Sequence, residues 1–235
     1  MDESDSLLKA LVIMLFLRTA RHQTTYVRML EGAPAGDWWI LLDFDKEVQA
    51  GEGWESTPEL GVILAASLAD RGLRARRAVG LLASGQPPVW IRPQAGEHRR
   101  WDILRSLALL EPAGPSLAEL IEHVGPTLGR QASLIVITPS TQSEWLSPLA
   151  HLLWRGITPT VLLMDPATFG ESQNADSLAA LLGDMGIPRF VLSRDLLHRP
   201  EARPGWRGQW EWRLMPTGKA VPARLPGDMT WRRLG

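Results

Sequence analysis

The sequence predicts an α/β fold of three layers, in which helices cover both faces of a mostly parallel central sheet. Short β-branched runs alternate with longer segments of helical periodicity from residue 38 onward, which is typical of parallel sheets. The run SLIVITP (133–139) is the most continuous apolar segment, as expected of a strand buried on both faces. At 235 residues the chain is long enough for one sizeable core.

The predicted strands are short apolar runs bounded by turn residues. The run PVWIRP (88–93) is predicted at an edge of the sheet, because proline cannot donate a hydrogen bond to a neighbouring strand. The other predicted strands, in chain order, are WWILLDF (38–44), RRAVGLLAS (76–84), SLIVITP (133–139), TPTVLLMD (158–165) and PRFVLS (188–193).

The predicted helices carry recognisable start and stop signals. Ser56 and Glu59 stand at capping-box spacing, Ser116 opens a later helix in the same way, and Gly72 is a predicted C-terminal stop. The predicted helices, in chain order, are STPELGVILAASLADRGL (56–73), 97–110, SLAELIEHVGPTL (116–128), SEWLSPLAHLLWRG (143–156) and NADSLAALLGDMG (174–186).

Three segments are predicted along the chain. Residues 1–35 form an N-terminal segment that packs on the domain or is the remnant of an upstream β-rich or membrane region. Its apolar stretch 7–17 is too short to span a bilayer but offers a membrane contact. Residues 36–199 form the α/β domain. Residues 200–235, rich in tryptophan, arginine and proline, form a β-hairpin and tail packed on the domain.

Composition excludes several classes of function. The net charge of −1, from 25 basic and 26 acidic residues, gives no overall field that would attract nucleic acid. The absence of cysteine excludes disulfides, thiolate catalysis and cysteine-ligated metals, and it is compatible with a reducing cytosol. We therefore expect a cytoplasmic protein, with membrane association left open through residues 7–17.

Three acidic residues, Asp43, Asp45 and Glu47, follow the first strand within five positions. Parallel sheets place ligand sites beyond the carboxyl ends of their strands. A divalent-metal site, a phosphoryl-transfer site and an ordinary acidic loop are all open interpretations. Carboxylates within about 5 Å repel by about 3 kcal/mol per pair at an effective dielectric of about 20, but by under about 1 kcal/mol in open solvent. Charge alone therefore does not require a cation.

The segment LLDFDKE (41–47) resembles the first motif of haloacid-dehalogenase-type phosphatases. Asp43 would be the nucleophile, Asp45 the acid/base, and Thr138 would match the second motif. The resemblance fails further along. Those enzymes need a lysine after the threonine strand, but the chain has only Lys9, Lys46 and Lys219, and Asp165 stands alone where those enzymes carry an acidic pair. No phosphate-binding loop, dinucleotide fingerprint, nucleophile elbow or paired-histidine motif is present in the sequence. A magnesium-dependent phosphatase is the alternative function.

The chain resembles a bacterial family known as "domain of unknown function fifty-eight", whose fold looks like the von Willebrand factor A domain. The resemblance runs from about Thr19 to the tail and depends on the order and spacing of its segments. These segments are TARHQTTYVRMLE, DWWILLDFD, STPELGVILAASLADRGL, AVGLLASG, GEHRRWDILRSLALLEPAGPSLAELI, SLIVITPS and RGITPTVLLMDPATFG.

Von Willebrand A domains carry a metal-ion-dependent adhesion site, and the resemblance implies a degenerate version of it here. Asp43 matches the first aspartate of the family's D-x-S-x-S motif, and Asp45 and Glu47 stand where its two serines would be. Ser116 takes the place of the threonine ligand, and Pro139 replaces the last aspartate. Oxygen ligands of this kind suit Mg²⁺ or Ca²⁺.

The resemblance also implies a non-enzymatic protein–protein interaction module. Thr138 and Ser140 would belong to its interaction rim, and a MoxR-type AAA+ ATPase would be its partner, as genomic company suggests for the family. A third hypothesis is a purely structural domain whose exposed tryptophans dock a lost N-terminal region. These tryptophans are Trp206, Trp210, Trp212 and Trp231.

Overall fold

The computed structural model describes residues 36–129, 132–198, 211–214 and 220–224. Its strands up to residue 198 are β1 (Trp38–Leu42), β2 (Gly51–Glu52), β3 (Glu55–Ser56), β4 (Val79–Ala83), β5 (Val89–Gln94), β6 (Ser133–Thr138), β7 (Thr158–Met164) and β8 (Arg189–Leu192). Six of them form one sheet in the spatial order β5–β4–β1–β6–β7–β8, while β2 and β3 pair in a separate small hairpin.

The main sheet is parallel except for β5, which runs antiparallel to β4 at one side. From β1 the chain proceeds outward to β4 and β5, and it then crosses back to place β6 on the other side of β1. The order of the sheet therefore reverses between β1 and β6. In open α/β sheets, ligands bind beyond the carboxyl ends of the strands at such a reversal.

Five helices cover the two faces of the sheet in the described part of the chain. They are α1 (Thr57–Arg74), α2 (Glu97–Ala108), α3 (Leu117–Val124), α4 (Leu146–Trp154) and α5 (Asp176–Asp184). Apolar residues of α1 and α2 pack in one buried core, and those of α3, α4 and α5 pack in another. The predicted three-layer α/β fold is confirmed, and β5 is the edge strand that its prolines indicated.

The two ends of the sheet have different surroundings. The carboxyl-end edge is where the parallel strands finish and the segments after β1, β4, β6 and β7 begin. The amino-end edge is the opposite side, where β1 starts and α1 ends. Trp38 marks it, because its backbone N–H donates to the carbonyl of Ala78 at 2.8 Å, just before β4.

Helix α1 does not end at Gly72, as the sequence predicted, but continues to Arg74. Gly72 lies where the helix is closest to the sheet. A Cβ at this position would stand 2.6 Å from Cγ2 of Val79 and 2.8 Å from Cε3 of Trp38, which is too close for any side chain. The glycine thus permits close packing of helix on sheet and does not terminate the helix.

A buried carboxylate joins α1 to α2. Oδ1 of Asp70 lies 2.6 Å from Nε of Arg100 on α2, and Oδ2 lies 2.8 Å from Nε of Arg74 one helical turn away. Asp70 is buried, and the Arg100 side chain is only 19% exposed. One acid therefore forms ion pairs with two cations at the contact between the two helices.

The C-terminal segment contains the predicted hairpin. Strands β9 (Glu211–Leu214) and β10 (Ala220–Arg224) pair antiparallel, and residues 215–219 between them lie outside the described residues. The predicted N-terminal segment 1–35, with its proposed membrane contact at 7–17, and the tail tryptophans named above other than Trp212 also lie outside. Over the described residues, no helix combines the length and apolarity needed to cross a membrane.

Candidate functional site

Asp43 lies at the reversal point of the sheet. It directly follows β1, and its backbone N–H donates to the carbonyl of Ile137 in β6 at 2.9 Å, which continues the strand pairing by one residue. Its side chain is almost fully buried, with 1% exposed. The sequence predicted that this carboxylate would lie on the surface of a ligand site. The structure instead buries it inside the protein, at the end of a buried strand.

Both oxygens of the Asp43 carboxylate accept hydrogen bonds from the protein. The hydroxyl of Thr138, the last residue of β6, donates to Oδ2 at 2.6 Å. The backbone N–H of Asp45 donates to Oδ1 at 3.2 Å. The Thr138 hydroxyl in turn accepts from the backbone N–H of Ser140 at 2.9 Å, which fixes its orientation. The ends of the two strands are thus joined by one buried polar contact.

Burial raises the pKa of Asp43 to about 6, because the carboxylate loses hydration energy away from water. The hydrogen bonds from Thr138 and from the Asp45 amide lower this pKa, and repulsion by the Asp45 charge raises it slightly. Loss of hydration therefore outweighs the hydrogen bonds, and part of the protein carries a neutral Asp43 in mildly acidic solution.

The raised pKa of Asp43 makes the stability of the protein depend on pH. Because the folded state binds this proton more tightly than the unfolded state, whose pKa is 3.8, the contribution to stability is full below about pH 4 and is lost as pH rises through about 6. We expect the free energy of unfolding of the wild type, minus that of Asp43→Asn, to fall by up to about 3 kcal/mol between about pH 4 and pH 7.

Denaturant unfolding over a series of pH values measures this difference, and side-chain carbon NMR locates the titration of Asp43 itself. Thr138→Val removes a hydrogen bond that lowers the pKa of Asp43, so the midpoint should move upward in this variant. A wild-type midpoint near the ordinary aspartate value would contradict the burial of the carboxylate, and a midpoint unmoved by Thr138→Val would contradict its hydrogen bond to Thr138.

The four residues predicted to hold Mg²⁺ or Ca²⁺ occupy different roles. Asp43 is buried, while Oδ1 of Asp45 accepts from the backbone N–H of Glu47 at 3.1 Å, and Glu47 points to solvent. Ser116 caps α3, where its hydroxyl accepts from the N–H of Glu119 at 3.4 Å. Among the described residues, no three Asp, Glu, His or Cys side chains are grouped to share an ion.

In this arrangement the predicted donors Asp43, Asp45 and Ser116 accept hydrogen bonds from the protein. The oxygens of Asp43 that would face an ion are engaged by Thr138 and Asp45, and Ser116 serves a helix. The metal ion inferred from the sequence stays a prediction, which calorimetric titration with Mg²⁺, Mn²⁺ and Ca²⁺ against Asp43→Ala tests.

The two residues predicted for the interaction rim, Thr138 and Ser140, are buried. Thr138 holds Asp43, and Ser140 supplies the amide that orients Thr138. Neither side chain is available to a partner. Both residues nevertheless lie at the carboxyl-end edge beside Asp43, which is the edge that the sequence predicted for the interaction rim. A partner would contact the exposed residues around them.

Three polar residues that the sequence did not single out complete the site. Ser84, buried at the end of β4, accepts a hydrogen bond from the N–H of Phe44 at 2.8 Å. Nε2 of Gln49 donates to the carbonyls of Asp43 and Asp45 at 3.1 and 3.0 Å, and Thr57 donates to Gln49 Oε1 at 2.8 Å. The position of Ser84 as the last residue of a predicted strand was the available signal, whereas Gln49 offered none.

A hydrogen-bonded hairpin follows this network and carries an exposed tryptophan. Trp54 lies at the tip of the β2–β3 hairpin with 89% of its side chain exposed. Gly53 precedes it with a φ of 56°, as two-residue hairpin turns require. Two hydrogen bonds between Ala50 and Thr57 close the base of the hairpin. The N–H of Thr57 donates to the carbonyl of Ala50, and the N–H of Ala50 donates to the Thr57 hydroxyl, both at 2.8 Å. The tryptophan is thus held away from the core at the carboxyl-end edge.

The charge around this hairpin is mostly negative. Two basic side chains, Lys46 and Arg194, are exposed near it, and Arg194 pairs with Glu55 at 3.2 Å. The exposed acids in the segments at this edge outnumber these two basic residues. They are Glu47, Glu52, Glu55, Glu111, Glu144 and Glu171. A surface of this kind favours partners with basic groups.

Comparison with known proteins identifies a family. The model of the family described as "Protein of unknown function DUF58" matches residues 13–169, which is more than half of the chain. None of the curated proteins searched matches the chain.

Solved structures share the fold at low sequence identity. An aerotolerance-related membrane protein from Bacteroides fragilis has a TM-score of 0.50 and 14% identity, over 67% of this chain and 90% of that chain. The pilus adhesin SpaC from Lactobacillus rhamnosus GG has a TM-score of 0.51 and 11% identity, over 69% of this chain and 29% of that one. BatB from Bacteroides thetaiotaomicron is similar at a TM-score of 0.47 and 15% identity, with coverage of 67% and 90%.

Proposed function

The chain belongs to the DUF58 family and has a von Willebrand A-like fold, and from that premise we propose that it is a non-enzymatic protein-interaction module acting with a MoxR-type AAA+ ATPase. The observation that carries the proposal is the contact between Asp43 and Thr138. The Thr138 hydroxyl lies 2.6 Å from Oδ2 of Asp43, and both side chains are buried. This contact occupies the place beyond the strand ends where open α/β sheets bind ligands. The exposed residues around that contact would then form the protein-binding surface of the carboxyl-end edge.

The closed carboxylate does not favour catalysis. A nucleophilic aspartate must approach a phosphorus atom along an open path, whereas Asp43 is buried and bonded through both oxygens. Asp45, the acid/base of the phosphatase hypothesis, is engaged by the N–H of Glu47. We therefore rank the magnesium-dependent phosphatase below the interaction module.

Trp54 supplies the anchor that an interaction surface requires. Tryptophan is among the residues that dominate binding energy at protein interfaces, because its large ring is removed from water in a pocket of the partner. The hydrogen-bonded hairpin already fixes the backbone position of Trp54, so less conformational entropy is lost on binding than from a free loop. Glu52 and Glu55 flank Trp54, so the expected partner surface is an apolar pocket bordered by basic side chains.

Surface plasmon resonance between the full-length chain and the purified MoxR-type ATPase of the same genome tests the proposal. Saturable binding of the wild type supports it, and the absence of binding overturns it. A magnesium-dependent release of phosphate from a phosphatase substrate, lost in Asp43→Asn, would replace it with the enzymatic alternative.

A further inference from the structure

The end of α1 carries a dense group of arginines at the amino-end edge. The sequence RGLRARR (71–77) places four arginines within seven residues, and Arg71 and Arg76 are exposed there. Cations in the last turn of a helix are favoured by its dipole, which accounts for Arg71 and for Arg74. The helix dipole does not account for Arg76, which lies beyond the helix.

Arg76 stands at a position that favours glycine. Its φ is 57°, and it is the one residue other than glycine with a positive φ in the described part of the chain. The N–H of Arg76 donates to the carbonyl of Leu73, and the N–H of Arg77 donates to that of Gly72, both at 2.9 Å. This is the Schellman pattern of helix ends, whose left-handed residue is usually glycine. An arginine in a conformation that disfavours side chains points to a role outside the fold.

The amino end of α2 extends the same basic surface. Gln94 pairs with Val79 at the amino-end edge, and α2 begins three residues later. Trp101 on α2 is 60% exposed, and the guanidinium of Arg100 lies 5.7 Å from the centre of its ring. Residues 70–102 contain seven arginines and three acids, although the whole chain has a net charge of −1. This segment therefore has a net charge of +4 and contains an exposed tryptophan.

The position of this surface indicates its partner. The chain enters β1 at the same edge, where Trp38 bonds to Ala78. The apolar stretch 7–17 precedes β1 by about 20 residues, which reach at most about 65 Å when extended. Arginines and tryptophans are the side chains that suit the interface of an anionic bilayer, by charge and by amphipathic ring.

We infer that the basic surface formed by Arg71, Arg76 and Trp101 binds anionic phospholipid headgroups. The inference is independent of the ATPase partner. With the amino-end edge against a bilayer, the carboxyl-end edge and Trp54 face away from it and stay open to a protein.

Sedimentation of the full-length chain with phosphatidylcholine vesicles, with and without phosphatidylserine, tests this inference. We expect binding that increases with phosphatidylserine and falls with salt, and that Arg71→Gln and Arg76→Gly each weaken about fivefold. The matched control is Arg105→Gln, which removes an exposed arginine near the other end of α2 and should leave the vesicle binding unchanged.

Thermal unfolding separates this role from a structural one. Arg76→Gly relieves the left-handed strain and should raise the midpoint of unfolding while it weakens vesicle binding. Equal binding to both kinds of vesicle, or variants no weaker than Arg105→Gln, would overturn the inference. Tighter binding to a DNA or RNA duplex than to the anionic vesicles would also overturn it.

Discussion

Replacing Trp54 by alanine is expected to weaken binding of the MoxR-type ATPase about 30-fold or more, which corresponds to the loss of an interface anchor worth about 2 kcal/mol. The ring is 89% exposed in the free protein, so its removal leaves no cavity and should not change the stability of the fold. Surface plasmon resonance gives the change in affinity, and thermal unfolding confirms that the variant is folded.

Trp154 provides the matched control. It is 82% exposed at the end of α4, on the amino-end edge of the sheet. Trp154→Ala removes the same apolar area from the opposite edge and should bind the ATPase as the wild type does. Equal affinities of Trp54→Ala and wild type would show that the hairpin is not the anchor, even if the ATPase binds.

Replacing Asp70 by alanine is expected to lower the free energy of unfolding by about 3 kcal/mol. The change leaves the mostly buried guanidinium of Arg100 without its closest acid, and losing one member of a buried ion pair costs about 3 to 5 kcal/mol. We expect a value at the lower end of that range, because the second cation, Arg74, is 50% exposed and is hydrated by solvent in the variant. Denaturant unfolding at neutral pH measures the change.

Asp102→Ala is the control for this effect. Asp102 pairs with Arg99 at 3.1 Å on the surface of α2, and its side chain is 35% exposed. A surface pair of this kind contributes about 0 to 1 kcal/mol. If Asp70→Ala destabilised the protein no more than Asp102→Ala, the junction between α1 and α2 would not depend on the buried carboxylate.

The fold was predictable because its signals are local. The apolar runs and capping residues locate the strands and helices to within a few residues, and the prolines near 88–93 correctly place β5 at an edge. Gly72 was misread, because a glycine that permits helix–sheet contact looks the same in sequence as one that ends a helix. The left-handed position after α1 carries Arg76, which no rule for helix ends would select.

The candidate site was predictable only in outline. Their positions at the carboxyl ends of predicted parallel strands placed Asp43 and Thr138 at one edge, and the structure brings them within hydrogen-bonding distance. The burial of both side chains depends on how the segments after β1 and β6 fold back, which no local pattern encodes. The contributions of Gln49 and of the hairpin that presents Trp54 depend on the same tertiary packing.

The central claim is that the carboxyl-end edge is a protein-binding surface and not an active site. Hydrogen–deuterium exchange of the full-length chain, with and without the purified ATPase, measures this most directly. We predict slower exchange on binding in residues 43–56, 109–116 and 139–145, with no change in residues 71–77. Unchanged exchange throughout, or protection confined to the amino-end edge, would contradict the claim.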